Sequence, residues 1–112
     1  MDNRNAVRYS VQLLRENLTK VLLVFPDKHE IESCIVDISS QGLRVSVPLS
    51  DVSLSLPQNN ETVIVVFQSI QWQLACRYIY SMYSHDGSML MGFFVFNTDE
   101  QTKLRELLDK IE

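Results

Sequence analysis

Few residues in this chain interrupt or decorate a fold. Its 112 residues include three Gly and three Pro, which argues against a disordered chain. Two cysteines, Cys34 and Cys76, and two histidines, His29 and His85, show no metal-ligand spacing, so no metal site is expected and the histidines read as surface residues. Both cysteines lie in apolar strand-like runs, where a buried free thiol is expected. No apolar stretch reaches the ~18–20 residues that cross a bilayer, and the first five residues lack a signal peptide's apolar core. The expectation is a cytoplasmic protein with no membrane partner. Ser39 has no G-x-S-x-G elbow and no evident base, so neither a catalytic residue nor an enzyme is expected.

Positive charge is also scarce. Ten Lys and Arg stand against fourteen Asp and Glu, a net charge of −4, which suits no protein that must coat a nucleic-acid backbone. The basic residues are unevenly placed, however. Arg4, Arg8, Arg15 and Lys20 fall in the first twenty residues, enough for a local site for a small anion.

What is abundant is strand-forming sequence. With 46% hydrophobic residues, the chain can bury one core in a single domain over 1–112. Lys20–Phe25 reads as a strand ending at the Pro26-Asp27 turn signal. In the next strand, Ile31 to Ile38, alternation places Cys34, Val36 and Ile38 inward and Ser33, Ile35 and Asp37 outward, which leaves Ile35 as an apolar outward residue suited to an interface. Leu43–Val47 sends Leu43, Val45 and Val47 inward. Pro48–Glu61 reads as a loop with a short strand at Val52–Leu56, and Thr62–Gln68 as a strand. In Gln71–Tyr83, Trp72, Leu74, Cys76, Tyr78 and Tyr80 share one face, as core packing rather than base stacking. Asp86-Gly87 is a hairpin signal, and Ser88–Phe96 with its three phenylalanines reads as well buried. Thr98-Asp99-Glu100-Gln101 forms a capping box for a helix over 98–111, whose Leu104, Leu107, Leu108 and Ile111 make one apolar stripe. Residues 10–17 fit either a serine-capped helix or a strand. The fold class is mainly β: a six-stranded antiparallel barrel whose open side is covered by the C-terminal helix.

Two short motifs carry the functional reading. Arg4 and Arg8, four residues apart in an arm over 1–9, can present both guanidinium groups to one target. Asp37-Ile38-Ser39-Ser40-Gln41-Gly42 joins two strands through a polar turn in which Gly42 can supply a positive φ and Asp37 and Ser39 offer short acceptors.

Arg4-Asn5-Ala6-Val7-Arg8 and Asp37-Ile38-Ser39-Ser40-Gln41-Gly42 match the R-x-x-x-R and [D/N]-x-S-x-x-G elements of PilZ domains, in the same order. With Gly92 and the terminal helix, the whole chain resembles a stand-alone PilZ domain. The resemblance implies a receptor for the bacterial second messenger cyclic di-GMP. Arg4 and Arg8 would grip phosphates and guanine edges, and Asp37, Ser39 and Gly42 would form the floor. It implies no cofactor beyond that ligand and signalling by ordering of the arm, which changes the surface shown to an unidentified downstream protein partner. The chain itself would be a monomer or weak homodimer. The uncharged Asn3 before the first arginine slightly favours one bound ligand over a stacked pair, and the 10–20 spacer looks longer than usual. The other reading is a PilZ-like protein-interaction module independent of nucleotide.

Overall fold

A computed structural model of the chain describes residues 9–10, 19–48, 58–83 and 86–109. Seven strands appear in it: β1 (Tyr9–Ser10), β2 (Lys20–Val24), β3 (Glu30–Ser39), β4 (Gly42–Pro48), β5 (Thr62–Phe67), β6 (Trp72–Tyr83) and β7 (Ser88–Val95), followed by one helix, α1 (Thr98–Asp109). All pairings are antiparallel, in the order β1-β3-β2-β5-β6-β7-β4, and a further β3–β4 pairing closes strands β2 to β7 into a six-stranded barrel. Closure pairs each of these six strands on both sides over part of its length.

Local chemistry sets the corners. After β2, Lys28 adopts φ 75° and donates its amide to the Phe25 carbonyl at 2.8 Å, while the His29 ring stacks on Phe25 and meets the Asp27 carboxylate. His29 therefore shapes a turn at the surface. Between β5 and β6 a single 3-10 turn, Gln68–Ile70, is followed by Gln71 in the left-handed region. Between β6 and β7, Gly87 takes φ +81° and the Asp86 carboxylate accepts from the Ser88 amide at 3.2 Å, as the Asp-Gly signal requires.

The barrel is filled by alternate residues. Val21, Leu23, Ile31, Ile35, Ile38, Leu43, Val45, Val47, Val63, Val65, Phe67, Leu74 and Cys76 are buried, and Phe67 stacks on Trp72 and Tyr78 meets Phe93 edge to face. Trp72 and Tyr78 thus serve packing. The α1 helix lies against β3 and β7 and inserts Leu104 and Leu108 into the same core. Burial of those two leucines outweighs the marginal stability of an isolated twelve-residue helix.

Four expectations are corrected. In β3, Ile35 points inward and is 1% exposed, whereas Cys34 is exposed. The pairing with β4 shifts register between Ile35 and Asp37, so one bulged residue, Val36, allows both Ile35 and Ile38 to face the core. A second shift between Tyr78 and Tyr80 turns Tyr80 out of the core face that Tyr78 occupies. The third concerns the last strand, where Phe93 is buried but Phe94 is exposed. The fourth is the helix cap: the Asn97 Oδ1 accepts from the Asp99 and Glu100 amides at 2.8 and 3.2 Å, while the Gln101 amide group reaches the Val95 carbonyl. Asn97 therefore holds the cap position assigned to Thr98.

Ser10 lies opposite Asp37, and Lys20 lies opposite Cys34. Ten steps from Ser10 to Lys20 are thus matched by three steps of β3. The expected short strand at 52–56 and the alternatives for 11–17 lie outside the described residues, as do His85 and Ile111.

Candidate functional site

The β3–β4 hairpin turns on Ser40 and Gln41, with Ser39 paired to Gly42, Ile38 to Leu43 and Asp37 to Arg44. The Ser39 hydroxyl is buried within this turn. It donates to the Gly42 carbonyl at 3.3 Å and accepts from the Gln41 amide at 3.2 Å. A hydroxyl bonded on both sides of a two-residue turn fixes its shape. Gln41 also accepts, through its carbonyl, the Val95 amide at 2.9 Å, which ties the turn to the end of β7.

Gly42 has a different role from the expected one. Among the described residues, the glycine at positive φ is Gly87, not Gly42. A Cβ at Gly42 would sit 2.6 Å from the Phe93 backbone oxygen, so the missing side chain lets β4 approach β7. The clearance it provides is internal to the barrel wall.

On the outside of the barrel, strand parity aligns Asp37, Arg44, Gly92 and Tyr80 across β3, β4, β7 and β6. Asp37 faces away from the core, as its alternation with Ile38 requires, yet it is 7% exposed. Its carboxylate receives Arg44 through a forked contact: Nε donates to Oδ1 at 3.0 Å and to Oδ2 at 2.9 Å, and the terminal Nη2 donates to Oδ2. Such planar pairing is the strongest form of carboxylate contact available to a side chain. Hydrogen bonds donated to the Asp37 carboxylate hold the Arg44 guanidinium pKa above its ordinary value against partial burial, and Tyr80 contributes in the same direction. The Tyr80 ring covers Gly92, where any Cβ would lie 2.3 Å from the ring.

The two arginines of the first motif, Arg4 and Arg8, lie outside the described residues. The backbone that follows them is described: β1 pairs with β3 through Tyr9 opposite Ile38 and Ser10 opposite Asp37. The fold thus brings the residue after Arg8 alongside the second motif. The hairpin brings Asp37, Ser39 and Gly42 together, and beside Asp37 stand Arg44 and Tyr80, which were not among the expected residues. Arg44 was legible, because a two-residue turn between Ser39 and Gly42 pairs position 37 with 44. Tyr80 was not, because its placement depends on the bulge before it.

A separate cavity of ≈ 580 Å³ is bordered by Lys20, Glu32, Cys34, Ser46, Asp86 and Ser88, among others. Among its described lining residues none belongs to the hairpin turn, and there two carboxylates, Glu32 and Asp86, stand against the one ammonium of Lys20. Among the described residues no cluster of His, Cys, Asp and Glu could hold a metal ion, and no helix is long and apolar enough to cross a membrane.

The barrel with its terminal helix has the PilZ fold. It superposes on the Bacillus subtilis inhibitor of motility MotI/DgrA with TM-score 0.67 at 14% identity, covering 96% of this chain and 49% of that one. It matches the PilZ domain of Escherichia coli YcgR, solved with c-di-GMP, with TM-score 0.62 at 11% identity over 98% of this chain and 92% of that one. It also matches MrkH of K. pneumoniae in its c-di-GMP complex, with TM-score 0.63 at 11% identity over 99% and 52% of the respective chains. The chain therefore spans about half the length of MotI/DgrA and MrkH. No family model matches the sequence, and no curated protein matches it.

Proposed function

We propose that this PilZ-fold chain is a receptor for cyclic di-GMP. The observation that carries the reading is the pairing of β1 with β3, which sets the chain just after Arg8 beside Asp37 and Ile38. An arm attached there needs little reach to bring Arg4 and Arg8 over the hairpin. The ligand's two phosphates and two guanines match the arginine fork, which offers paired donors to a phosphate or to guanine O6 and N7. Asp37 accepts from the guanine N1 and N2 donors. Arg44 holds that carboxylate in place and, with the Tyr80 ring, extends a flat polar surface beside it. Ser39 and Gly42 act through the turn they shape. Ligand binding orders the arm at an entropic cost and alters the surface offered to a downstream protein, so the output is a shift in populations rather than catalysis. The protein works in the cytoplasm and needs no cofactor.

Arg44 already occupies both oxygens of Asp37, and this favours a second reading, in which the barrel is an interaction module independent of nucleotide. Calorimetric titration with cyclic di-GMP separates the two. The receptor reading expects saturable heat for the wild type and a roughly ten- to hundred-fold loss of affinity in Arg8→Ala and Asp37→Ala, from charge-assisted contacts of about 1.5–3 kcal/mol each. It also expects weaker binding at higher salt. Absence of heat in the wild type, or undiminished binding by both variants, leaves the second reading.

A further inference from the structure

β6 is longer than the strand beside it. β5 pairs with Trp72 through Arg77, and Tyr78 completes that ladder by donating to the Glu61 carbonyl and accepting from the Asn60 amide. From Tyr80 to Tyr83, β6 pairs with β7 in the register Tyr80–Gly92 to Tyr83–Met89. On its other edge no strand pairs with this stretch among the described residues. A strand edge of this kind presents unpaired amides and carbonyls to any extended chain that can align with it.

The same stretch carries most of the large hydrophobic side chains exposed among the described residues. Of the four large hydrophobic residues exposed among the described ones, three lie here: Ile79 at 38%, Met82 at 54% and Tyr83 at 76%. Charged residues and prolines normally protect such an edge. From Ile79 to Ser84 the sequence has neither.

We infer that the edge Ile79–Tyr83 is a self-association surface, on which a second copy of this chain adds its own β6 antiparallel about a twofold axis at Ser81. The sequence is self-complementary in that arrangement. Tyr80 of each copy faces Met82 of the other across the axis, so an aromatic ring meets an aliphatic chain on both sides of it, a favourable cross-strand combination. The small Ser81 lies on the axis, and the neutral strand brings no like charges together. The pairing uses one patch twice, as a closed dimer requires. Tyr80 and Met82 share the outer face, so Met82 of the second copy borders the row formed by Asp37, Arg44 and Tyr80. A five-residue edge buries less than the ~1,200–2,000 Å² of a stable interface, so the association is weak and concentration-dependent.

Sedimentation velocity over a concentration series, without nucleotide, tests the inference independently of the receptor reading. The wild type is expected to rise from 13.0 kDa towards twice that mass. Met82→Asp and Tyr83→Asp, both at exposed positions, are expected to remain monomeric with unchanged circular dichroism, while Gln73→Asp, exposed on the paired part of β6, associates like the wild type. Amide exchange is expected to slow with concentration at Ile79–Tyr83. A constant monomer mass for the wild type, a dimer retained in both Asp variants, or protection confined to another strand each overturns the inference.

Discussion

Replacing Gly42 by alanine separates a structural glycine from one that clears space for a ligand. The added Cβ would stand 2.6 Å from the Phe93 carbonyl oxygen, several tenths of an ångström inside ordinary contact. The obstacle is backbone, and that backbone is fixed by the β4–β7 register from Gly42–Phe94 to Pro48–Ser88, so the strands must separate locally. Overpacking of this kind costs about 1–3 kcal/mol. Restricting the unfolded chain returns about 0.4–1 kcal/mol, since this position is not at positive φ. The net loss is about 1–2 kcal/mol, which for a domain of this size lowers the melting temperature by roughly 4–8 °C. Thermal unfolding followed by circular dichroism measures it. Titration with cyclic di-GMP well below the transition should then give an affinity within a few-fold of the wild type. A variant with wild-type melting and lost binding would refute the assignment, because Gly42 would then be clearing space for the ligand and not for Phe93.

Three further outcomes follow from the packing. Asn97→Ala should cost about 1 kcal/mol, whereas Thr98→Ala should stay within about 0.5 kcal/mol, as urea unfolding of the two variants would reveal; equal losses would return the cap to Thr98. Arg44→Met should destabilise the fold by about 1–2 kcal/mol, because it strips the fork from a carboxylate only 11% exposed, with the larger figures for buried pairs discounted for the solvent around Arg44; a neutral result in the same assay would show that Asp37 is satisfied without it. One thiol per native chain should react promptly with Ellman's reagent, namely the exposed Cys34, and two after unfolding. Burial pushes the Cys76 thiol well above its ordinary value, and Glu100 adds to that, so rapid reaction of both thiols in the native state would contradict the core placement.

Local sequence was enough for the six barrel strands, the terminal helix and the β3–β4 hairpin with its motif, while the short β1 beside them was not anticipated. Each depends on contacts between residues close together in the chain: alternation in β2 and β4, Asp86-Gly87 for a tight turn, the leucine spacing of α1. The pairing of Asp37 with Arg44 was within reach of the same reasoning, because hairpin register follows from loop length. Which face each part of β3 and β6 presents was set only when the strands paired. One bulged residue in each strand reverses parity, burying Ile35, exposing Cys34 and carrying Tyr80 to the outside of the barrel, and a bulge is a compromise between paired strands with no local signature. Tertiary contact also gave Gly42 its purpose, since the atom that forbids a side chain there belongs to Phe93, fifty-one positions along the chain and brought alongside only when the barrel closes.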